Sequence, residues 1–180
     1  MTTDNFQEKR KEYRLPFFEK AIFTDGNRSL TANASNMSRG GLFVATLDLF
    51  PIETTGHVAF CFPYQTHSVC LKVKVAHLVF DKQRCDVECG MGLYFLDVSD
   101  SLRSLLNLHI LNEQSSYLEL KRLLAVPRPD FTEIRKHLKA IPHLQGLDLL
   151  ALRYRVNRVC TLFEPSLSTD DLVQKSAAAA

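Results

Sequence analysis

From residue 17 to residue 96 the chain alternates short apolar runs with turn-forming residues, and no helical period interrupts the pattern. Residues 17–24 (FFEKAIFT) are rich in β-formers, Asp25-Gly26-Asn27 has hairpin-turn chemistry, and residues 30–34 supply a returning strand. Residues 42–47 read as a short buried strand, 51–56 as a connection, and 58–62 as another strand, ended by Pro63. In residues 69–76 apolar and basic positions alternate, which turns Val69, Leu71, Val73 and Val75 to one face and the lysines to the other. Residues 87–96 make the last strand. Short consecutive strands joined by turns, without a helical crossover, predict a small antiparallel β-barrel.

After Asp97 the pattern becomes helical. Ser99 is placed to cap a helix with Asp100 in its first turn, and Leu102, Leu105, Leu106 and the run 108–111 cover most of its circumference, so it is expected to pack on the barrel. Two readings follow: the polar stretch 112–116 ends this helix, or the helix continues through Tyr117, Leu120 and Leu124 to Pro127. Asp130 then caps a helix expected through residue 141 with Phe131, Ile134 and Leu138 on one face. Residues 142–146 break it, and a further helix spans 147–163. Arg153, Arg155 and Arg158 read as its solvated face, and the leucines at 147, 149, 150 and 152 as core before partner surface. The expected fold is therefore mainly β with an α extension. It comprises an N-terminal arm (1–14), a barrel with its closing helix (15–112), a helical extension (113–165) and a polar tail (166–180), whose four terminal alanines carry no fold information.

Composition narrows the function. With 46% apolar residues in 180 the chain can bury a core, while a net charge of +2, from 22 basic and 20 acidic residues, argues against a nucleic-acid polymer or a membrane surface as partner. No apolar run reaches the roughly 18 residues of a bilayer span, and the start MTTDNFQEKR lacks a signal-peptide core, so a cytoplasmic protein without membrane insertion is expected. Five cysteines, Cys61, Cys70, Cys85, Cys89 and Cys160, lack paired zinc spacing. The close pair Cys85 and Cys89 has no second pair or neighbouring histidine to complete a metal site, so no metal and no cofactor is expected. Neither a nucleophile elbow, a Walker loop, a zincin motif nor a distinguished carboxylate pair is present, and no catalytic residue is assigned.

Two polar clusters remain. Arg10 and Arg14 stand four positions apart on the charged arm, and Asn36-Met37-Ser38-Arg39-Gly40-Gly41 lies between two apolar strands; taken alone, the latter reads as a tight turn. In this order, Arg-x-x-x-Arg followed by Asn-x-Ser-x-x-Gly, the clusters resemble the bipartite signature of the PilZ domain family of cyclic di-GMP receptors. Gly90-Met91-Gly92-Leu93-Tyr94-Phe95 resembles that family's closing strand and the leucine-rich helix its following helix, so the likeness covers about residues 8–112.

The resemblance implies cyclic di-GMP as ligand, with Arg10 and Arg14 from the first motif and Asn36, Ser38 and Gly41 from the second as binding residues. Lys9 and Arg39, inside or beside the motifs, are further candidate ligand contacts. Asn36 stands where the family often has Asp. The chemistry suits the ligand, because the guanidinium fork matches both a phosphate and the O6/N7 edge of guanine. It further implies an arm that closes over the ligand and signals to a protein partner. The alternative function is an adaptor acting through the helical region, with the nucleotide site vestigial or modulatory, and the same helices are a candidate surface for homo-oligomers.

Overall fold

A computed structural model of the chain describes residues 13–80 and 89–163. Seven strands, β1 (Leu15–Pro16), β2 (Lys20–Thr24), β3 (Ser29–Ser38), β4 (Gly41–Ala45), β5 (Thr55–Cys61), β6 (Ser68–Val79) and β7 (Gly90–Phe95), precede three α-helices, α1 (Asp100–Leu124), α2 (Phe131–Leu138) and α3 (Leu149–Cys160). The chain divides into two units, residues 1–114 and 115–180.

In the first unit every strand pairing is antiparallel. The order is β1-β3-β2-β5-β6-β7-β4, and β4 pairs back onto β3, which closes six strands into a barrel. The short β1 adds to the same edge of β3 that β2 occupies. This is the mainly β architecture with C-terminal helices that the pattern predicts. Alternation explains the faces: Ala21 and Phe23, Leu42 and Val44, Leu71, Val73 and Val75, and Met91, Leu93 and Phe95 all point into one buried cluster. Phe17, between β1 and β2, meets Phe60 edge-on at 5.5 Å between ring centres. Each fully buried side chain of this size contributes about 1.5–3 kcal/mol.

Two β-bulges interrupt the alternation, between Ala34 and Asn36 in β3 and between Val75 and His77 in β6. An extra residue reverses the parity of everything beyond it. Ala34 and Met37 both reach the core, so Asn36 and Ser38 face outward. In β6 Val75 faces in and Leu78 packs against the core, so His77 faces outward.

Helix α1 begins as expected, with Ser99 Oγ accepting from the Leu102 amide at 3.4 Å and with Leu102, Leu105 and Leu106 on the barrel core. It continues without a break through 112–116, the second of the two readings. That stretch is solvated on one side only: Asn112 and Ser115 are exposed, whereas Glu113 and Ser116 are buried.

Within the second unit Tyr117, Leu120, Leu124, Ile134, Ile141, Leu144, Leu152, Val156 and Cys160 are buried. The Tyr117 hydroxyl and His143 Nε2 share a hydrogen bond of 2.7 Å. Asp130 caps α2 through the amides of Thr132 and Glu133, and Asp148 caps α3 through that of Ala151. Three expectations need correction. Helix α2 ends at Leu138, because Pro142 starts a separate short 3-10 turn; of its apolar positions Ile134 is buried, whereas Phe131 is 56% exposed. Among the leucines of the last helix Leu152 is core but Leu150 is 78% exposed. Arg153 is not on a solvated face: its Nε donates to the Leu124 carbonyl at 3.0 Å and its Nη2 to that of Val126 at 3.2 Å, satisfying carbonyls left open where α1 ends.

The most unusual pair in the first unit is His109 with Glu113, one turn apart on α1. Their Nε2 and Oε1 atoms are 3.8 Å apart, and His109 Nε2 and Glu113 Oε2 are buried without a hydrogen-bond partner. The His109 ring lies against Phe62 and Phe17. Burial, and then the charge of Glu19, pushes the Glu113 carboxyl up to about 8, while burial pushes His109 down to about 4. Both groups are thus neutral at pH 7, and the contact is not an ion pair.

The unfolded chain releases the glutamate proton near 4.5 and the histidine proton near 6.5, whereas the folded chain keeps the glutamate proton to about 8. Between 4.5 and 6.5 the two groups bind equal numbers of protons folded and unfolded, so their contributions offset. From 6.5 to about 8 the folded state binds more, and stability falls as pH rises. The slope is at most about 1.4 kcal/mol per pH unit. Glu113→Gln is expected to flatten this decline in melting temperature; a mutant curve parallel to that of the wild type across the window contradicts the assignment.

Candidate functional site

The strand β3 carries the second polar cluster, and its two edges bring the rest of the site to it. On one edge Leu15 pairs with Met37 and Pro16 with Asn36, so the antiparallel register carries Arg14 to the level of Ser38. There Arg14 Nη1 donates a long hydrogen bond, 3.3 Å, to Asn36 Oδ1. Residues 22 positions apart in the chain, one from each motif, are thereby joined. On the other edge β4 returns after a tight turn at Arg39 and Gly40, with Met37 opposite Leu42 and Ser38 opposite Gly41.

The motif is therefore not simply a turn. Asn36 and Ser38 belong to the end of a strand, and only Arg39 and Gly40 make the bend. Ser38 Oγ accepts from the Gly40 amide at 3.3 Å, which holds the bend closed. Asn36 Nδ2 donates to Ser35 Oγ at 3.4 Å, so Arg14 and Ser35 orient its amide from both ends. Ser38 is buried, Asn36 half-buried and Arg39 exposed. Lys9 and Arg10 lie outside the described residues. The structure thus brings together Arg14, Asn36, Ser38 and Gly41, with Arg39 at the bend between them.

Gly41 has a reason to be glycine that requires no ligand. A Cβ built there stands 2.3 Å from the carbonyl oxygen of Leu93 on the neighbouring β7. The obstacle is backbone in a closed sheet and cannot swing aside.

Cross-strand neighbours extend this surface in a way the linear sequence does not display. Asn36 is opposite Phe43, Phe43 opposite Gly92, and Gly92 opposite His77, so one row crosses β3, β4, β7 and β6 on the outer face. The adjacent row runs from Ser38 through Gly41 to Tyr94 and Lys74. Strict alternation from Val75 assigns His77 to the core, and only the bulge reveals otherwise. Among the described residues no group of three or more His, Cys, Asp or Glu side chains could hold a metal ion, and no helix is long and apolar enough to cross a membrane. Cys89 is a free thiol, and Cys85 lies outside the described residues.

The family model of the PilZ domain matches residues 8–112, more than half of the chain, and the protein belongs to that family. The inhibitor of motility from Bacillus subtilis (MotI/DgrA) is similar in structure, with a TM-score of 0.51 at 16% sequence identity over 60% of this chain and 52% of that one. This likeness is one of fold. YcgR from Escherichia coli in complex with c-di-GMP aligns with a TM-score of 0.49 at 14% identity over 62% of this chain and 48% of that chain. The PilZ domain of YcgR with c-di-GMP gives 0.42 at 14% identity over 56% and 87%. The chain spans about half the length of the first two. No curated protein matches it in sequence.

Gly41→Ala is expected to destabilise the barrel by about 1–3 kcal/mol, the usual cost of forcing an extra carbon into a packed site. Urea unfolding measures this directly, and an unchanged midpoint would mean that β7 yields.

Proposed function

We propose that the chain is a cyclic di-GMP receptor, binding the dinucleotide between the segment that carries Arg10 and Arg14 and the outer face of β3. The observation that carries this reading is the hydrogen bond from Arg14 to Asn36, which joins one residue from each of the two polar clusters. YcgR, which shares the family, is seen bound to c-di-GMP.

In this reading Arg14 and Arg10 address the phosphates and guanine edges with charge-assisted forks. Asn36 presents an amide whose direction is set by Arg14 and Ser35. Ser38 keeps the bend compact, and Gly41 keeps β4 close to β7. Lys9 and Arg39 add positive charge at the rim. No step of catalysis is involved; binding itself is the signal. Residues 15–112 form the ligand domain, and 113–165 the part through which a protein partner reads its state. The leader changes conformation on binding.

Each charge-assisted hydrogen bond contributes about 1.5–3 kcal/mol, so losing one guanidinium weakens binding by roughly ten- to more than a hundred-fold. In isothermal titration the wild type is expected to bind cyclic di-GMP in preference to GTP and cyclic GMP. Arg10→Ala and Arg14→Ala are expected to lose binding while the free proteins melt as the wild type does. Wild-type affinity in both variants overturns the assignment.

If binding is transmitted to the helical unit, hydrogen exchange of amides beyond residue 113 is expected to change on adding ligand. Protection confined to the barrel and leader removes the transmission and leaves a receptor without a coupled output.

A further inference from the structure

We infer that the outer face of α3, with Leu150, Tyr154, Arg155 and Arg158, is a docking surface for an anionic lipid bilayer, which it meets from one side without crossing. The inference goes beyond the receptor reading, and no part of it depends on the nucleotide.

Charge is segregated along the chain. Residues 115–163 hold nine lysines and arginines against four aspartates and glutamates, a net +5 that the whole-chain value of +2 conceals. Residues 164–180 lower this surplus to +3 and do not remove it. All four carboxylates of residues 115–163 are already engaged. Glu119 pairs with Arg122 and Glu133 with Lys136, while Asp130 and Asp148 cap α2 and α3. Arg135, Lys139, Arg155 and Arg158 are exposed, and none has a carboxylate partner among the described residues. A local surplus of this kind attracts an acidic surface.

The apolar residues of α3 say which kind of surface. Leu152, Val156 and Cys160, spaced by four, form its buried face. Leu150, Tyr154 and Arg158 repeat that spacing on the opposite face, in one row about 12 Å long. Leu150 is 78% exposed, more than any other large apolar side chain among the described residues, and Tyr154 is 65% exposed. Arg155 lies beside the row. Phe131, Arg135 and Lys139 repeat the order along α2 and its C-cap, an exposed ring followed at the same spacing by two cations.

Apolar tips and cations in one row on a convex helix suit a lipid interface. Leucine and tyrosine enter the boundary between headgroups and acyl chains, while arginine keeps its guanidinium at the phosphates. Other occupants fit less well. A second copy sets Arg155 and Arg158 against an equally basic unit, and a nucleic acid has no apolar layer to cover an aliphatic side chain such as Leu150. An acidic protein needs a groove matched to the row, whereas a fluid interface needs none.

The experiment sediments the full chain with vesicles of equal parts phosphatidylglycerol and phosphatidylcholine, and with vesicles of phosphatidylcholine alone. Binding to the anionic vesicles only is expected, and raising the salt from about 0.1 M to about 1 M is expected to weaken it by screening. Arg155→Ala and Arg158→Ala are each expected to weaken binding about five-fold, and Leu150→Ser about ten-fold or more. Melting temperatures are expected to hold, because all three side chains are exposed. The sequence contains no tryptophan, so Tyr154→Trp provides a single emitter, expected to shift to the blue on anionic vesicles and to be shielded there from iodide. Absence of binding to the anionic vesicles at low salt overturns the inference. So does binding that Leu150→Ser leaves unchanged and that gives no shift in Tyr154→Trp, which is adsorption by charge alone. A dimer in light scattering that Leu150→Ser abolishes gives the face to a second copy, and tighter binding to duplex DNA than to the anionic vesicles gives it to a nucleic acid; either result also overturns it.

Discussion

The strand β3 is hydrogen-bonded along both edges, to β1 and β2 on one side and to β4 on the other, and the candidate site depends on that double pairing. A strand held on two sides cannot slip by one residue without sending its apolar set outward. The pairing of Leu15 with Met37 therefore fixes where the polypeptide before Leu15 enters, and so where Arg14 stands. The return of β4 through a two-residue bend fixes Gly41 against Leu93. The motif residues are gathered by backbone register, and their side chains add only the final hydrogen bonds among Arg14, Asn36 and Ser35.

The bulges matter as much as the pairing. In a sheet with one buried face, parity decides whether a side chain faces outward or into the core, and one extra residue reverses it. Near Ser35 this frees Asn36 and Ser38 from the interior while Met37 fills it. Near Ala76 it does the same for His77 while Leu78 returns to the core. Gly92 belongs to this arrangement because the neighbouring ring already fills the space beside it.

The end of the barrel near α1 has a different chemistry. Neutral His109 sits against Phe17 and Phe62, one turn from neutral Glu113, and each leaves a buried polar atom unsatisfied, which is costly in a low-dielectric setting. Phe17 lies just beyond β1, so the ring that His109 packs against is three residues from Arg14 in the chain. The helical unit closes its own ends with Asp130, Asp148 and Arg153, each satisfying backbone groups that helix termini leave open.

Local pattern alone determined a good deal. Period-2 alternation in β6, the turn chemistry at Asp25-Gly26-Asn27, and the caps Ser99 and Asp130 named the elements, because each is dictated by neighbours within a few residues. The bipartite motif named the family, and its residues Arg14, Asn36, Ser38 and Gly41 do meet. Tertiary structure decided what depends on partners distant in the chain: that Asn36 ends a strand, that the polar stretch 112–116 is helical and buried at Glu113 and Ser116, that Arg153 serves carbonyls near Leu124, and that His77 joins the outer face. Alternation carries no record of a bulge, and a polar residue carries no record of whether a far segment will satisfy it. Those choices are made by the register of closed sheets and by packing, where sequence separation does not limit contact.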